Sequence, residues 1–482
     1  MSKKALYALL FGLLALVILN TGTSCKKITG FSKGNLAFSA DTIFFDTVFT
    51  TIGSTTKNFK FYNNDNKTLI VNEVELMGGS SSPFRINVDG VSADKVEDIE
   101  IEGGDSLYIF VEVTLDPNGG ILPMVIEDQI RFRSNGQDQY ITLVAWGQDA
   151  YFHYSYISKG ILDLNEGTWP SDKPHVIYGA AFIDSAKSLT IDPGTQIYLH
   201  KDAILYNYKG SLNINGSQAD PVTLQGDRLE PYYNDVSGQY YGIYMQEALP
   251  SVINYAVIKN GTSGIHIYSE DPSNSSYTLE LYNTRISNCA RYGVFMYSGA
   301  KVKAENCILE KNGTHALLVL EGGDFNFNHC DFLGYGAGQD VGPAVGISNY
   351  YEDQVNNVVN VGSINEGTIT NSVIHGYQDY ELAIDTISDI SINLNFNFSN
   401  NMIKSETVFT GSQYTNNIWN VEPVFYSIEN SDYRIYSMSP LRGVADCNYP
   451  VTNLATSNRD IIGTSRETCL DIPSPDIGAY EY

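Results

Sequence analysis

The feature that most constrains this chain is a short frame that recurs through its second half. INYAVIKNG, YNTRISNC, ENCILEKNG, FNHCDFLGYG, ITNSVIHGY and SNNMIKSE share it, with apolar anchors at Ile258, Ile286, Leu309, Phe332, Ile374 and Ile403. The anchors stand 28, 23, 23, 42 and 29 residues apart, so two neighbouring steps are equal and the others carry loops. A rung of that length cannot bury its apolar face alone and must stack on its neighbours. Three residues before the anchor come Asn283, Asn306, Asn371 and Asn400, with His329 in that slot on one rung. Asparagines stacked at strand spacing bond amide to amide along the stack. Cys307 and Cys330 hold equivalent slots, which predicts a buried ladder rather than a redox or metal pair.

Just upstream runs KSLTIDPGTQIYLHKDAILYNYKGSLNINGSQADPVTLQGD, residues 187–227. It resembles the first coils of right-handed parallel β-helix proteins. The resemblance implies corners at Pro193-Gly194 and Lys209-Gly210, and a lumen filled by Leu189, Ile191, Ile197, Leu212 and Ile214. A β-helix is therefore expected over 151–420, in an all-β chain.

Residues 36–150 read as short alternating strands. In Leu107–Leu115 every odd position is aliphatic, which turns one greasy face inward at a period of two. Asn63-Asn64-Asp65-Asn66, Gly103-Gly104-Asp105 and Asn135-Gly136 supply turns. The segments FKFYNNDNKTLIVNEVEL, EGGDSLYIFVEVTLDP and DQIRFRSNGQDQYITLVAWGQD resemble the immunoglobulin-like domains of the abnormal-spindle and hydin group. That resemblance implies a β-sandwich serving as spacer or adhesion module. At the other end, EPVFYSIENSDYRIYSMSPLRG, RDIIGTSRETC and PDIGAYEY in 421–482 resemble the choice-of-anchor domain of type Q. Such a C-terminal cap is expected to cover the last open rung, whose edge would otherwise present unpaired backbone groups.

Lys3 and Lys4 precede an uninterrupted apolar run from Ala5 to Leu19. As a helix its length is about 22 Å, short of a bilayer core, so 1–24 reads as a signal peptide. Gly22-Thr23-Ser24-Cys25 then resembles the lipobox of Bacteroidetes-type lipoproteins, with Gly22 where an aliphatic residue is usual. The resemblance implies lipid attachment at Cys25, a linker over 25–35, and a membrane partner in the cell envelope, expected to be the outer membrane. Lys26 and Lys27 follow the cysteine and leave the exposed leaflet open. Cys447 and Cys469 share a loop-rich tail and form a candidate disulfide, bridged or reduced.

The net charge of −26 repels phosphate backbones and excludes nucleic acid as a partner. No cysteine–histidine cluster or dense aspartate group suggests a metal, and no cofactor is expected. A glycan lyase or glycosidase needs a converging set of carboxylates, or a carboxylate beside Arg or Lys. Lys301, Lys303 and Glu305 alternate on one strand, with Asp324 and Asp331 about one rung later, and read as an exterior mixed-charge face. His266 and His315, in GIHIY and THALLVL, read as structural. The better functional signal is aromatic: EPYYNDVSGQYYG carries Tyr232, Tyr233, Tyr240 and Tyr241, and SNYYEDQ carries Tyr350 and Tyr351. Exposed rings there suit stacking against sugars. The expectation is a non-catalytic lipoprotein that binds polysaccharide or another envelope protein, with a polysaccharide lyase or glycoside hydrolase as the alternative.

Overall fold

The computed structural model describes residues 30–49, 53–115, 124–155, 163–270, 276–336, 341–388, 390–452, 458–468 and 474–482. The expected signal peptide over 1–24, Cys25 and Cys469 lie outside the described residues. The chain divides into two compact units, Met1–Asp149 and Ala150–Tyr482.

The first unit holds two five-stranded sheets. Strand Ser106–Val113 buries Ile109, Val111 and Val113 and leaves the alternate positions outside, as its period of two requires. Asn135 and Gly136 both take positive φ, 53° and 76°, and turn strand Met124–Ser134 tightly into Gln137–Gln148. The sheets are antiparallel except where Thr42–Phe49 runs parallel to Gln137–Gln148. Phe61 of one sheet meets Phe132 of the other at 5.4 Å between ring centres, inside a shared core.

The second unit is a right-handed parallel β-helix built from three long sheets. The first sheet has 11 strands, from Tyr151–Tyr154 to Ile418–Trp419. The second has 10, from Gly167–Trp169 to Tyr414–Thr415, and the third has 8, from Ala180–Ile183 to Leu382–Asp385. From residue 188 to Asp385 each coil passes through the second, first and third sheets in turn, and the last strands add only to the second and first.

The six anchors pair in one unbroken column, Ile258 with Ile286, Leu309, Phe332, Ile374 and Ile403, each fully buried. Leu189, Ile191, Ile197, Leu212 and Ile214 fill the same lumen. Burying one such side chain contributes about 1.5–3 kcal/mol, and that burial exists only because coils stack. Phe409, Tyr414 and Trp419 pack half-buried against the lumen at its C-terminal end. Cys289, Cys307 and Cys330 are free and buried, with the Cys307 and Cys330 thiols bonded to backbone carbonyls at 3.4 Å.

The recurrent asparagines sit at the corner between the second and first sheets. Asn283, Asn306, His329, Asn371 and Asn400 all take φ between 48° and 56°, a left-handed conformation that asparagine tolerates because its short amide bonds locally. The expected amide ladder is present in part: Asn306 donates to Asn283 at 3.1 Å, and Asn283 to Asn254 at 3.1 Å.

Residues from about 423 onward run back along this flank instead of lying over the last rung. Arg466, fully buried, donates to Asn306 at 3.0 Å and to the Gly478 carbonyl at 2.8 Å, and pairs with Glu481 at 3.0 Å. Asn371 exchanges two bonds with the Asp446 backbone, at 2.7 and 3.0 Å. The reason is apolar: Ile308, Leu333, Val373 and Met402 face outward from the first sheet, and Tyr433, Ile435, Leu441, Ile477 and Ala479 close over them as a second core. Among the described residues no helix is long and apolar enough to cross a membrane.

Candidate functional site

The third sheet treats its outer face differently. Its strands put Phe182, Tyr206, Tyr244, His266 and Phe295 in one outward column, one residue per coil. Their ring centres are separated by 5.0, 5.1, 4.7 and 4.5 Å, close to the strand spacing that sets them. The rings lean on one another along the axis, so edges and hydroxyls form the outer surface. All five are half-buried. A second column beside it runs Tyr208, Gln246, Tyr268, Tyr297 and Leu320.

Two open clefts lie along the corner where this sheet turns into the second. One, of about 520 Å³, is lined by Tyr208, Lys209, Gln246, Glu247, Tyr268 and Glu270. The next, of about 370 Å³, shares Glu270 and continues past Lys301, Glu321 and Asp324. Both volumes are in the range of small-ligand sites. Lys209, Glu247, Ser298 and Glu321 share positive φ, which carries their side chains out at the corner of successive coils.

The structure separates the tyrosines singled out in the sequence. Tyr241 joins the aromatic face, its hydroxyl 2.9 Å from His266 Nδ1. Tyr351, 40% exposed, meets Tyr297 edge-on at 6.0 Å from a hairpin at the far edge of the sheet. Tyr350, in the same hairpin, donates at 2.7 Å to Asp385 in the last strand of the third sheet. Tyr232, 78% exposed, and Tyr233 sit on the loop at the opposite edge, with Arg228 over the Tyr233 ring at 4.1 Å. Tyr240 is a correction: at 1% exposure it fills the lumen and bonds the Lys259 carbonyl at 2.8 Å. Strand parity decides this, because adjacent residues entering a strand face opposite ways, Tyr240 in and Tyr241 out.

The charged residues also divide. Glu305 is buried rather than exterior, because Thr452 of the returning segment bonds its carboxylate twice at 2.7 Å. Lys301 pairs with Asp324 at 3.5 Å across one coil, and Asp324 also accepts the Asn365 and Glu366 backbone amides at 2.8 and 3.2 Å. Burial pushes the carboxyls of Asp331, Glu381 and Glu481 up to about 7. Asp331 lies beneath the returning segment and accepts its Ala479 amide at 3.2 Å, Glu481 lies within that segment, and Glu381 accepts the Ala344 and Gln378 amides at 2.8 Å; none of the three lines either corner cleft. Burial holds His266 down to about 4, so it bonds Tyr241 as a neutral ring. His315 is likewise lowered by burial and bonds the Pro343 carbonyl. Cys447 is disulfide-bonded. No group of three or more histidine, cysteine or acidic side chains among the described residues is placed to hold a metal ion.

Fold and faces together define a β-helix protein with one flank covered by its own chain and one aromatic face left open. Residues 179–332 match the family model of the right handed beta helix region. No curated protein matches the chain. Among solved structures it is similar to the catalytic unit of a GH87 alpha-1,3-glucanase from Streptomyces thermodiastaticus, at 10% identity and a TM-score of 0.24 over 75% of each chain. It is also similar to a family 123 glycoside hydrolase from Clostridium perfringens, at 7% identity and a TM-score of 0.18, covering 25% of this chain and 30% of that one. Similarity to the ASH/PapD-like domain of human CEP192 stands at 8% identity and a TM-score of 0.18, over 27% of this chain and 94% of that one. These likenesses say nothing of this chain's chemistry.

Proposed function

We propose that this protein is a non-catalytic glycan-binding lipoprotein of the cell envelope, exported, held to the outer membrane by a lipid on Cys25, and binding polysaccharide along the outer face of its third sheet. The observation that carries this reading is the half-exposed column from Phe182 to Phe295, in register over five coils. Apolar ring edges meet the C–H faces of sugars, while phenol, amide and carboxylate groups in the adjoining clefts meet hydroxyls. A folded solenoid supplies such a surface already organised, so little ordering is lost on binding. The immunoglobulin-like and choice-of-anchor modules inferred from sequence complete the proposal as spacer and flank clamp.

A lyase or glycosidase is the second reading. What favours it is the cleft where Glu270, Lys301, Glu321 and Asp324 converge. Against it stands the placement of the carboxyls raised to about 7, all away from the clefts, since an acid catalyst at neutral pH needs such a shift where substrate lies. Native gels of the purified protein cast with different polysaccharides test both. Retardation without release of reducing ends or unsaturated products is expected; product release would replace binding by catalysis.

A further inference from the structure

We propose that the break in the second outward column at Gln246 is a slot for one pyranose ring of a neutral glycan, gripped between Tyr208 and Tyr268. The inference rests on the glycan-binding reading above and narrows it to a place and a sugar class.

Tyr208 stands on one side of the break in this column, and Tyr268, Tyr297 and Leu320 stand on the other. Tyr268 stacks on Tyr297 at 5.6 Å and 28° between planes, and Tyr208 lies 6.4 Å from Phe182 at 29°. Only on the coil between them does the narrower Gln246 stand. Tyr208 and Tyr268 are therefore two strand spacings apart, about 9.5 Å. One saturated six-membered ring in contact with both faces needs most of that gap, at roughly 3.5–4 Å per contact. The cleft of about 520 Å³ opens at this point.

The polar groups are set for hydroxyls. Tyr206 donates to Gln246 Oε1 and fixes the amide at the floor. Glu270 accepts the Tyr268 hydroxyl, and Glu247 accepts the Glu270 amide at 2.8 Å, which holds two carboxylates at the rim. The Lys209 ammonium lies 5.3 Å from the Tyr208 ring centre. Glu270 then leads into the second cleft with Lys301, Glu321 and Asp324. Four carboxylates against two ammonium groups line the path. Such a path accepts hydroxyl hydrogens and repels uronate or sulfate, so the glycan is neutral.

Gln246→Tyr tests the slot, because it completes the aromatic column and fills the gap while keeping the outward position. The full-length protein would be titrated with soluble neutral β-glucan, xylan and mannan, and with polygalacturonate as the anionic comparison. Wild type is expected to bind a neutral polymer and not polygalacturonate. Gln246→Tyr is expected to weaken that binding about tenfold or more with no loss of melting temperature, and Tyr208→Ala or Tyr268→Ala to weaken it similarly. Met438→Ala, on an exposed position far along the chain, should bind as wild type. If Gln246→Tyr keeps full affinity while Tyr244→Ala abolishes it, the slot is wrong and the face reading survives. Tighter binding of polygalacturonate overturns the sugar class. Wild type that binds none of the polymers overturns both readings.

Discussion

The first and third sheets of the solenoid share one lumen and one strand spacing, yet their outer faces have opposite fates. The first presents the aliphatic side chains Ile308, Leu333, Val373 and Met402, and the chain's own final 60 or so residues bury them. The third presents Tyr206, Tyr244, His266 and Phe295, which stay half-exposed. Aliphatic surface gains only by leaving water, so it is closed off. Rings with polar edges tolerate water and can stay half-exposed.

The largest effect expected from breaking this contrast comes at Arg466. Arg466→Ala removes the cation buried among Asp331, Asp460, Asp476 and Glu481, and should destabilise the protein by about 3–5 kcal/mol in chemical denaturation. The segment after residue 423 should also become open to protease. Next comes a paired truncation. Leu333→Ala on the covered face should destabilise by about 2–5 kcal/mol, whereas Phe295→Ala on the open face should destabilise by about 1 kcal/mol or less while weakening glycan binding. Equal losses would erase the distinction between the faces.

Tyr240 and Tyr241 sharpen the comparison at neighbouring positions. Tyr240→Phe strands two lumen carbonyl contacts and should lower stability by about 1–2 kcal/mol without changing binding. Tyr241→Phe, which loses its contact with His266, should do the reverse. The smallest effect concerns pH. The folded-state carboxyls of Asp331 and Glu481 are raised to about 7 from ordinary values near 4, so the folded protein holds protons that the unfolded chain releases. Their contribution is fully present below pH 4 and is lost as pH rises towards 7. Asp331→Asn cannot ionise, so its melting temperature should gain on wild type between pH 5 and pH 8.

The lumen was legible in sequence because its anchors repeat at a spacing that loops interrupt but do not disguise. The asparagine slots were legible as a pattern and opaque as a cause: their clamp partners, Arg459, Arg466, Asp446 and Val444, arrive from 44 to 160 residues later. One signal for the covered flank was present. Ile308-Leu309, Phe332-Leu333, Val373-Ile374 and Met402-Ile403 are adjacent apolar pairs, the mark of a strand buried on both faces, whereas Arg285-Ile286-Ser287 is apolar on one. The aromatic column stayed hidden because its members stand 24, 38, 22 and 29 residues apart, and no fixed period links them. Of the tyrosines in the tyrosine-rich loops, Tyr241 joins the column at His266 and Tyr351 meets Tyr297 of the neighbouring column.

Hydrogen exchange of the full-length protein, free and saturated with the neutral polysaccharide it binds best, tests the contrast between the two faces most directly. New protection should fall on strands Ile204–Tyr208, Gly242–Gln246, Ser263–Tyr268 and Tyr292–Tyr297, with the segment from 423 onward unchanged. Protection that appears on that segment, or nowhere on the third sheet, would contradict the account.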